Sequence, residues 1–331
     1  MIAAMKRRDF ITLLGGAAVA WPLAARAQQP AMPVVGFIHI MSAENVPHIV
    51  ASFRQGLREA GLVEGQNVRV EYRWAEGNYD RLPDLAADLV RRQVAVIAAT
   101  GGEPSPQVVK AATQTIPIVF TAAGDPVKDG LVASLNRPGG NATGITIFGG
   151  GAVTKRLQLL HEIVPKAGTT AYLMNPSNPN AEIEMRAAQS AAASLGQQMT
   201  VVNVSNEREL DAAFAAMHQQ DAGALLVASD SFFFWQRDRL AALAARYRIP
   251  AMSFVREFAY AGGLMTYGNS LTEAYRLVGL YVARILRGEK PADLPVVQST
   301  KFEFVLNLKT AKALGIDVPI SMQLLADEVI E

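Results

Sequence analysis

The sequence predicts an α/β protein with two doubly wound parallel-sheet lobes joined by a multi-crossing hinge. Three observations support this. From residue 34 onward, short β-branched runs alternate with longer amphipathic stretches, a pattern that yields parallel sheets covered by helices on both faces. The alternation runs twice, with a break at Gly149-Gly150-Gly151, which reads as hinge. A less regular tail follows the second series, as is needed to recross a hinge and complete both sheets.

In the first series, residues 34–40 read as a strand and 46–60 as a helix ended by Gly61. Residues 67–74 alternate like a strand, and 79–92 place Leu82, Leu85, Ala86, Leu89 and Val90 at helical spacing. A buried-type strand at 94–99, a helix at 104–113 with proline near its start, and strands at 116–120 and 144–148 complete the series. The second series comprises helix 152–163, strand 169–174, helix 180–195 ended by Gly196, strand 199–204, helix 207–219, strand 222–228 and helix 234–247. Short strands at 249–252 and 264–267 close it. The tail holds helix 272–287, a proline-punctuated segment at 291–295, strand 301–307 and helix 309–314. The expected division is an N-terminal lobe at 32–148, with about 268–296 returning to it, and a C-terminal lobe at 149–267 plus about 297–331.

The N-terminus reads as an export label. Lys6-Arg7-Arg8-Asp9-Phe10-Ile11 precedes an uncharged stretch too short to span a bilayer, and Ala25-Arg26-Ala27 then supplies small residues at both A-x-A positions. Arg7-Arg8 followed by Phe10 matches the twin-arginine variant. Residues 1–27 are therefore expected to be a signal peptide cleaved after Ala27, with the mature chain starting at Gln28 in the periplasm. The alternative is an uncleaved anchor or a chance basic start. The removed piece carries four cations and one anion, so the full chain's +1 becomes about −2. That balance argues against nucleic acid as a partner, since phosphate binding needs a strong basic excess. With no cysteine, thiolate catalysis and Cys-ligated zinc are excluded. After Gln28 no apolar run approaches membrane-spanning length, so a soluble body is expected.

In open parallel sheets, ligands bind beyond the carboxyl ends of the strands. The loops there are Met41-Ser42-Ala43-Glu44-Asn45, Thr100-Gly101-Gly102-Glu103-Pro104-Ser105, Thr121-Ala122-Ala123-Gly124-Asp125-Pro126, Asn175-Pro176-Ser177-Asn178-Pro179-Asn180 and Ser229-Asp230-Ser231. Small residues let backbone N–H groups approach a ligand, and a helix N-terminus favours a carboxylate. Capping and turn chemistry explain each loop singly; five of them converging on one crevice suggest a pocket. Asp230, between two serines, suits either an ammonium group or the N-cap of the next helix. The run Phe232-Phe233-Phe234-Trp235 cannot all face inward on one helix, since successive positions point about 100° apart. At least one of the four is expected to face the crevice, a partner or solvent. His39, His48, His161 and His218 show no metal-ligand spacing and read as capping or surface residues. No G-x-S-x-G elbow, Walker loop or G-x-G-x-x-G fingerprint occurs.

Taken together, Val34-Val35-Gly36-Phe37-Ile38, Phe53-Arg54-Gln55-Gly56-Leu57, Ile116-Pro117-Ile118-Val119-Phe120 running into Gly124-Asp125-Pro126, Leu131-Val132, Pro138-Gly139-Gly140-Asn141-Ala142-Thr143-Gly144, Asn175-Pro176 and Leu314-Gly315-Ile316 resemble a known family. They resemble the exported substrate-binding proteins of ABC transporters, in the tryptophan-binding-like branch of the type I periplasmic-binding fold. The resemblance spans nearly all of residues 32–325. It implies a monomer that captures a small-molecule solute between its lobes and delivers it to an ABC permease in the inner membrane, with no chemistry and no cofactor or metal of its own. It places ligand contacts on Ser42, Thr100, Gly101, Gly102, Gly124, Asp125, Asn175, Asn178 and Asp230. The third-strand loop reads Gly-Gly-Glu-Pro-Ser where the family more often has Thr-Pro-Ala, so the cargo implied is an amino acid or similar small carboxylate. The competing readings are an exported cofactor-dependent enzyme and a ligand sensor for a membrane receptor.

Overall fold

A computed structural model of the chain describes residues 32–102, 104–147, 152–178 and 180–331. The export label, the cleavage point, Gly149-Gly150-Gly151, Phe148, Glu103 and Pro179 lie outside the described residues.

The first half runs β1 (Val34–His39), α1 (Pro47–Glu59), β2 (Arg69–Trp74), α2 (Leu82–Arg91), β3 (Val96–Thr100), α3 (Pro104–Ala112), β4 (Ile118–Ala122) and β5 (Ala142–Thr146). The second runs α4 (Ala152–Ile163), β6 (Thr169–Met174), α5 (Ala181–Ser194), β7 (Gln198–Asn203), α6 (Glu209–Gln219), β8 (Ala224–Val227), α7 (Ser231–Trp235), α8 (Arg237–Arg246), β9 (Ala251–Ser253), α9 (Arg256–Tyr260) and β10 (Met265–Asn269). After it come α10 (Leu271–Leu286), β11 (Val297–Gln298), β12 (Phe302–Asn307), α11 (Leu308–Leu314), α12 (Ile320–Leu325) and β13 (Glu328–Ile330).

Two sheets result, with strand orders β11-β5-β4-β3-β1-β2 and β13-β12-β10-β9-β8-β6-β7. Every pairing is parallel except β10 with β12. Helices flank both sheets, and the central strands β3, β4, β5 and β8 are buried along their whole length, as expected of strands covered on both faces. Sheet membership departs from the sequence reading at two points. Val297–Gln298, placed there with the second lobe, pairs in parallel with β5 of the first sheet. Gly268 and Asn269, placed with the returning segment, still belong to β10 of the second sheet. A two-residue strand is too short to show any alternation, so β11 left no signal. The helix expected at 234–247 is two helices, α7 and α8, meeting at Gln236.

The chain passes between the sheets after β5, between β10 and α10, and between β11 and β12. The last two passages are stitched together: Ser270 N–H donates to Lys301 O at 2.8 Å and the Asn269 amide donates to Ser299 O at 2.9 Å. Ser299 N–H in turn donates to Thr146 O at 2.8 Å, at the end of β5.

The returning helix α10 lies directly on α1. A Cβ at Gly56 would sit 1.9 Å from Arg276 O, and one at Gly279 would sit 2.3 Å from Phe53 O. Only glycine allows the two backbones this close. Glycine in a helix interior ordinarily costs about 1 kcal/mol relative to alanine, so alanine at an unconstrained helical site stabilises. At Gly56 or Gly279 the sign is expected to invert: Gly56→Ala and Gly279→Ala each lower stability by about 1–3 kcal/mol through overpacking, read as a lower urea midpoint. An unchanged or raised midpoint would refute the tight seat.

Candidate functional site

Each sheet has one place where strand order reverses: between β1 and β3 in the first, and between β6 and β8 in the second. Loops leave such a switch point in opposite directions and open a crevice at the strand ends. Ser42 and the Thr100-Gly101-Gly102 loop flank the first switch point. Asn175, Asn178 and Asp230 flank the second.

At the second point the side chains converge. Asp230 is 5 % exposed. Its Oδ1 accepts from Phe232 N–H at 2.7 Å and from the Asn175 amide at 3.4 Å, and its Oδ2 accepts from the Asn178 amide at 2.7 Å. It therefore caps α7 and also gathers both asparagines. Burial pushes its pKa up, and the bonds from Asn178, Phe232, Asn175 and Phe233 pull it back; no cation of the described residues takes part. The loop beneath is fixed by a buried ion pair. Arg156 Nη2 lies 2.7 Å from Glu184 Oε1 and donates to Ser229 Oγ at 2.9 Å, while Ser229 N–H donates to Glu184 Oε2 at 3.0 Å. Asn178 donates to Ser229 O as well, at 3.1 Å, and accepts from Asn180 N–H.

The first switch point is built from backbone. Gly101 and Gly102 have φ of +92° and +119°, values that side-chain-bearing residues rarely adopt. Thr100 is fully buried and donates to Ile38 O at 3.0 Å, so its hydroxyl secures the strand end. Ser42 Oγ accepts from the Asn45 amide at 2.7 Å. Farther along, Gly124 sits against Asp129 and Asn180: a Cβ there would lie 2.7 Å from Asp129 Oδ2 and 3.0 Å from the Asn180 side chain. Asp125 shapes its own turn, accepting from Val127 N–H at 3.0 Å and Lys128 N–H at 3.3 Å.

The lobes touch across this crevice. Ser231 Oγ donates to Gly101 O at 3.0 Å, Arg237 Nη2 donates to Asn45 Oδ1 at 3.3 Å, and His48 Nε2 lies 2.7 Å from Glu257 Oε1. Of the aromatic run, Phe233 and Phe234 are buried, Phe232 and Trp235 are half-buried, and Trp235 packs near Gly77 of the first lobe. None of these pairings has a local sequence signal, because the partners lie far apart in the chain.

His39 corrects the sequence reading. It is neither a cap nor a surface residue but is buried at the end of β1, with Nδ1 accepting from Met41 N–H at 3.0 Å and Nε2 lying 2.9 Å from Tyr275 Oη. Burial, aided by His48, lowers its pKa to about 3. Its unfolded value is near 6.5, so below that pH the unfolded chain takes up a proton that the folded chain refuses. Stability from this group is complete above pH 6.5 and falls toward pH 3, by at most about 1.4 kcal/mol per pH unit. Equilibrium denaturation at pH 7, 6 and 5 is expected to show a shallower acid loss in His39→Gln than in wild type; equal slopes would exonerate His39.

Among the described residues, no group of three His, Asp or Glu is placed to hold a metal ion, and no helix is long and apolar enough to cross a membrane.

Comparison with known proteins agrees with this architecture. A tyrosine-binding protein of Clostridioides difficile (strain R20291) is 25 % identical over 280 residues, covering 85 % of this chain and 80 % of its own. A conserved domain protein from Vibrio cholerae superposes with a TM-score of 0.83 at 25 % identity, over 90 % of this chain and 99 % of that one. An ABC domain from Streptococcus pneumonia in complex with L-Trp gives 0.83 at 22 % identity, over 91 % and 100 %, a likeness of fold. The ligand-free, open structure of a substrate-binding protein with adhesive properties from Clostridium difficile gives 0.66 at 25 % identity, over 87 % and 96 %. Residues 34–330, nearly the whole described chain, match a single family. With two lobes of the type I periplasmic-binding fold around a polar crevice, the chain belongs to the ABC transporter substrate-binding protein family.

Proposed function

We propose that this chain is the exported receptor of an ABC importer and that its guest is an amino acid held between the lobes. The observation that carries the reading is Asp230: a buried carboxylate at a switch point, bonded to amides and to no cation of the described residues. A buried charge without a counter-charge is costly, and a ligand ammonium would offset that cost. The opposite pole of the guest is supported by α3. Its N-terminus follows Gly101 and Gly102, and Ser105 Oγ in its first turn is buried without a hydrogen-bond partner. Pro104 and Pro106 carry no N–H and Ser105 N–H donates to Gly102 O at 3.2 Å, so what α3 offers a guest carboxylate is the Ser105 hydroxyl, with the field of the helix behind it. Asn175 and Asn178 serve Asp230 rather than the guest directly, Ser42 bonds Asn45, Gly124 is buried against Asn180, and Asp125 shapes its own turn. The named ligand of the tyrosine-binding relative makes aromatic amino acids the first to test, with Phe232 and Trp235 as half-buried rings at the crevice.

Asp230→Asn separates the two roles of that residue, because asparagine caps helices as well as aspartate does. The unliganded protein is expected to melt at about the same temperature, since loss of a buried charge is offset by an amide NH2 that now faces the Asn178 donor. Affinity for the amino acid that binds wild type is expected to fall by about 10- to 100-fold, the worth of a charge-assisted hydrogen bond. Calorimetric titration giving equal affinities would reduce Asp230 to a cap, and a panel of amino acids none of which raises the melting temperature would sink the reading.

Export rests on residues 1–27, whose twin arginines, apolar stretch and Ala25-Arg26-Ala27 support delivery to the periplasm and an encounter with an inner-membrane permease. Replacing Arg7→Lys and Arg8→Lys together is expected to leave uncleaved precursor in the cytoplasm. Normal amounts of protein beginning at Gln28 in the periplasmic fraction would point to the general secretory route instead.

A further inference from the structure

The Arg156–Glu184 ion pair grips Ser229, the residue immediately before Asp230. We propose that Arg156 and Glu184 are positioning residues for a cation site: they add little to the stability of the lobe and instead hold the loops at 175–180 and 229–231 in the one arrangement that presents Asp230 to a guest. The proposal deepens the capture reading and rests on it for what Asp230 meets; the bracing of the two loops needs no guest.

Arg156 is 2 % exposed, and the Glu184 side chain 15 %. Taking two charges out of water is costly, and replacing such a pair with apolar side chains of similar volume is often neutral or stabilising. Stability therefore gives no reason for the pair; its hydrogen bonds do. Every polar group of Ser229 is engaged. Its N–H donates to Glu184 Oε2 at 3.0 Å, and its hydroxyl donates to Glu184 Oε1 and accepts from Arg156 Nη2, both at 2.9 Å. Its carbonyl accepts from the Asn178 amide at 3.1 Å. Arg156 Nη1 also donates to Val227 O at 3.4 Å, at the end of β8. The backbone that leads into Asp230 is thus fixed from three directions. Arg156 comes from α4 and Glu184 from the first turn of α5, the helix entered directly from the loop that carries Asn175 and Asn178. Glu184 therefore ties the loop after β6 to the loop after β8. Asn178 makes a second tie, bonding Ser229 O and, at 2.7 Å, Asp230 Oδ2. These are the two loops that flank the second switch point. A binding carboxylate works only when its supports hold it within about 0.5 Å of the productive position, and a pair of this kind supplies that constraint.

Arg156→Met with Glu184→Leu replaces the pair by apolar side chains. Without a guest, this double variant is expected to melt within about 4 °C of wild type, or above it. Its affinity for the amino acid that binds wild type is expected to fall about 10- to 100-fold, the usual cost of removing groups that orient a binding side chain. A carbon-13 titration of the Asp230 carboxyl reads the same role with no guest present. In wild type, burial pushes that carboxyl above the ordinary aspartate range; in the double variant the loops part, water reaches it, and its midpoint is expected to move down toward the ordinary value. Ser229→Ala keeps the ion pair and removes only the hydroxyl. It is expected to weaken binding about 3- to 10-fold, the worth of one hydrogen bond, and to cost nothing further when added to the double variant, as befits groups acting through one contact. A double variant that binds and titrates as wild type does would overturn the proposal. So would one that unfolds or melts far lower, which would make the pair a support of the lobe, or a Ser229→Ala variant with undiminished affinity. A wild-type protein that binds no amino acid would remove the capture reading alone, since the Asp230 titration decides the role of the pair without a guest.

Discussion

The seat between α1 and α10 governs the rest of this molecule. Helices normally pack 8–10 Å apart, with a layer of side chains between them. Here Gly56 and Gly279 remove that layer where each backbone meets the other's carbonyl. Because α10 must reach this seat after β10, the chain has to leave the second sheet, complete the first with β11, and return for β12 and β13. The repeated passage between lobes is thus a consequence of where α10 belongs. Once the passages lie side by side and share hydrogen bonds through Asn269, Ser270 and Ser299, sliding of one lobe past the other would break several bonds together. Rotation about the stitched segment remains open, which is the geometry of hinge closure.

The same path explains the contrast between the two halves of the crevice. In the first lobe α10 brings Tyr275 under the strand ends, and the polar groups there are satisfied internally: His39 Nε2 lies against the Tyr275 hydroxyl and Thr100 donates to Ile38 O. The loop is left to face the crevice with backbone alone. In the second lobe the strand ends instead carry a carboxylate whose amide donors hold it in place without neutralising it. Arg156 lies close by, but Glu184 and Ser229 occupy its guanidinium, so it does not compensate Asp230, whose pKa burial raises. On the capture reading proposed above, a backbone surface facing a buried carboxylate suits a small zwitterion, whose cationic pole would offset the cost of ionising Asp230.

The fold was legible in the sequence because its evidence is periodic and local. Strands at 169–174 and helices at 152–163 were read to the residue, and nearly every other long element to within two or three. Elements with too few residues for a period went unseen: β11, α9, α12 and β13. The stretches that carry the family likeness proved to be structural. Gly56 seats α10. In the P-G-G-N-x-T-G turn, Asn141 donates to Thr113 O and Ile116 O, Thr143 donates to Leu294 O at 2.6 Å, and Gly144 lets β4 approach, since a Cβ there would lie 2.2 Å from Phe120 O. Such motifs identify a fold because they solve its tightest packing problems, and they say little about the guest.

What the chain determined by itself was therefore the alternation of strands and helices, the doubling of that series, and the polar character of the loops at the strand ends. All of these follow from side-chain periodicity and turn chemistry within a dozen residues. Only the tertiary structure decided that His39 is buried under Tyr275, that Asn175 and Asn178 turn toward Asp230, and that Ser231 reaches Gly101. Those outcomes depend on burial and on contacts between residues dozens to hundreds of positions apart. Whether a polar side chain caps a helix, braces a loop or waits for a ligand is set by which other groups remain to satisfy it, and no local window of sequence contains them.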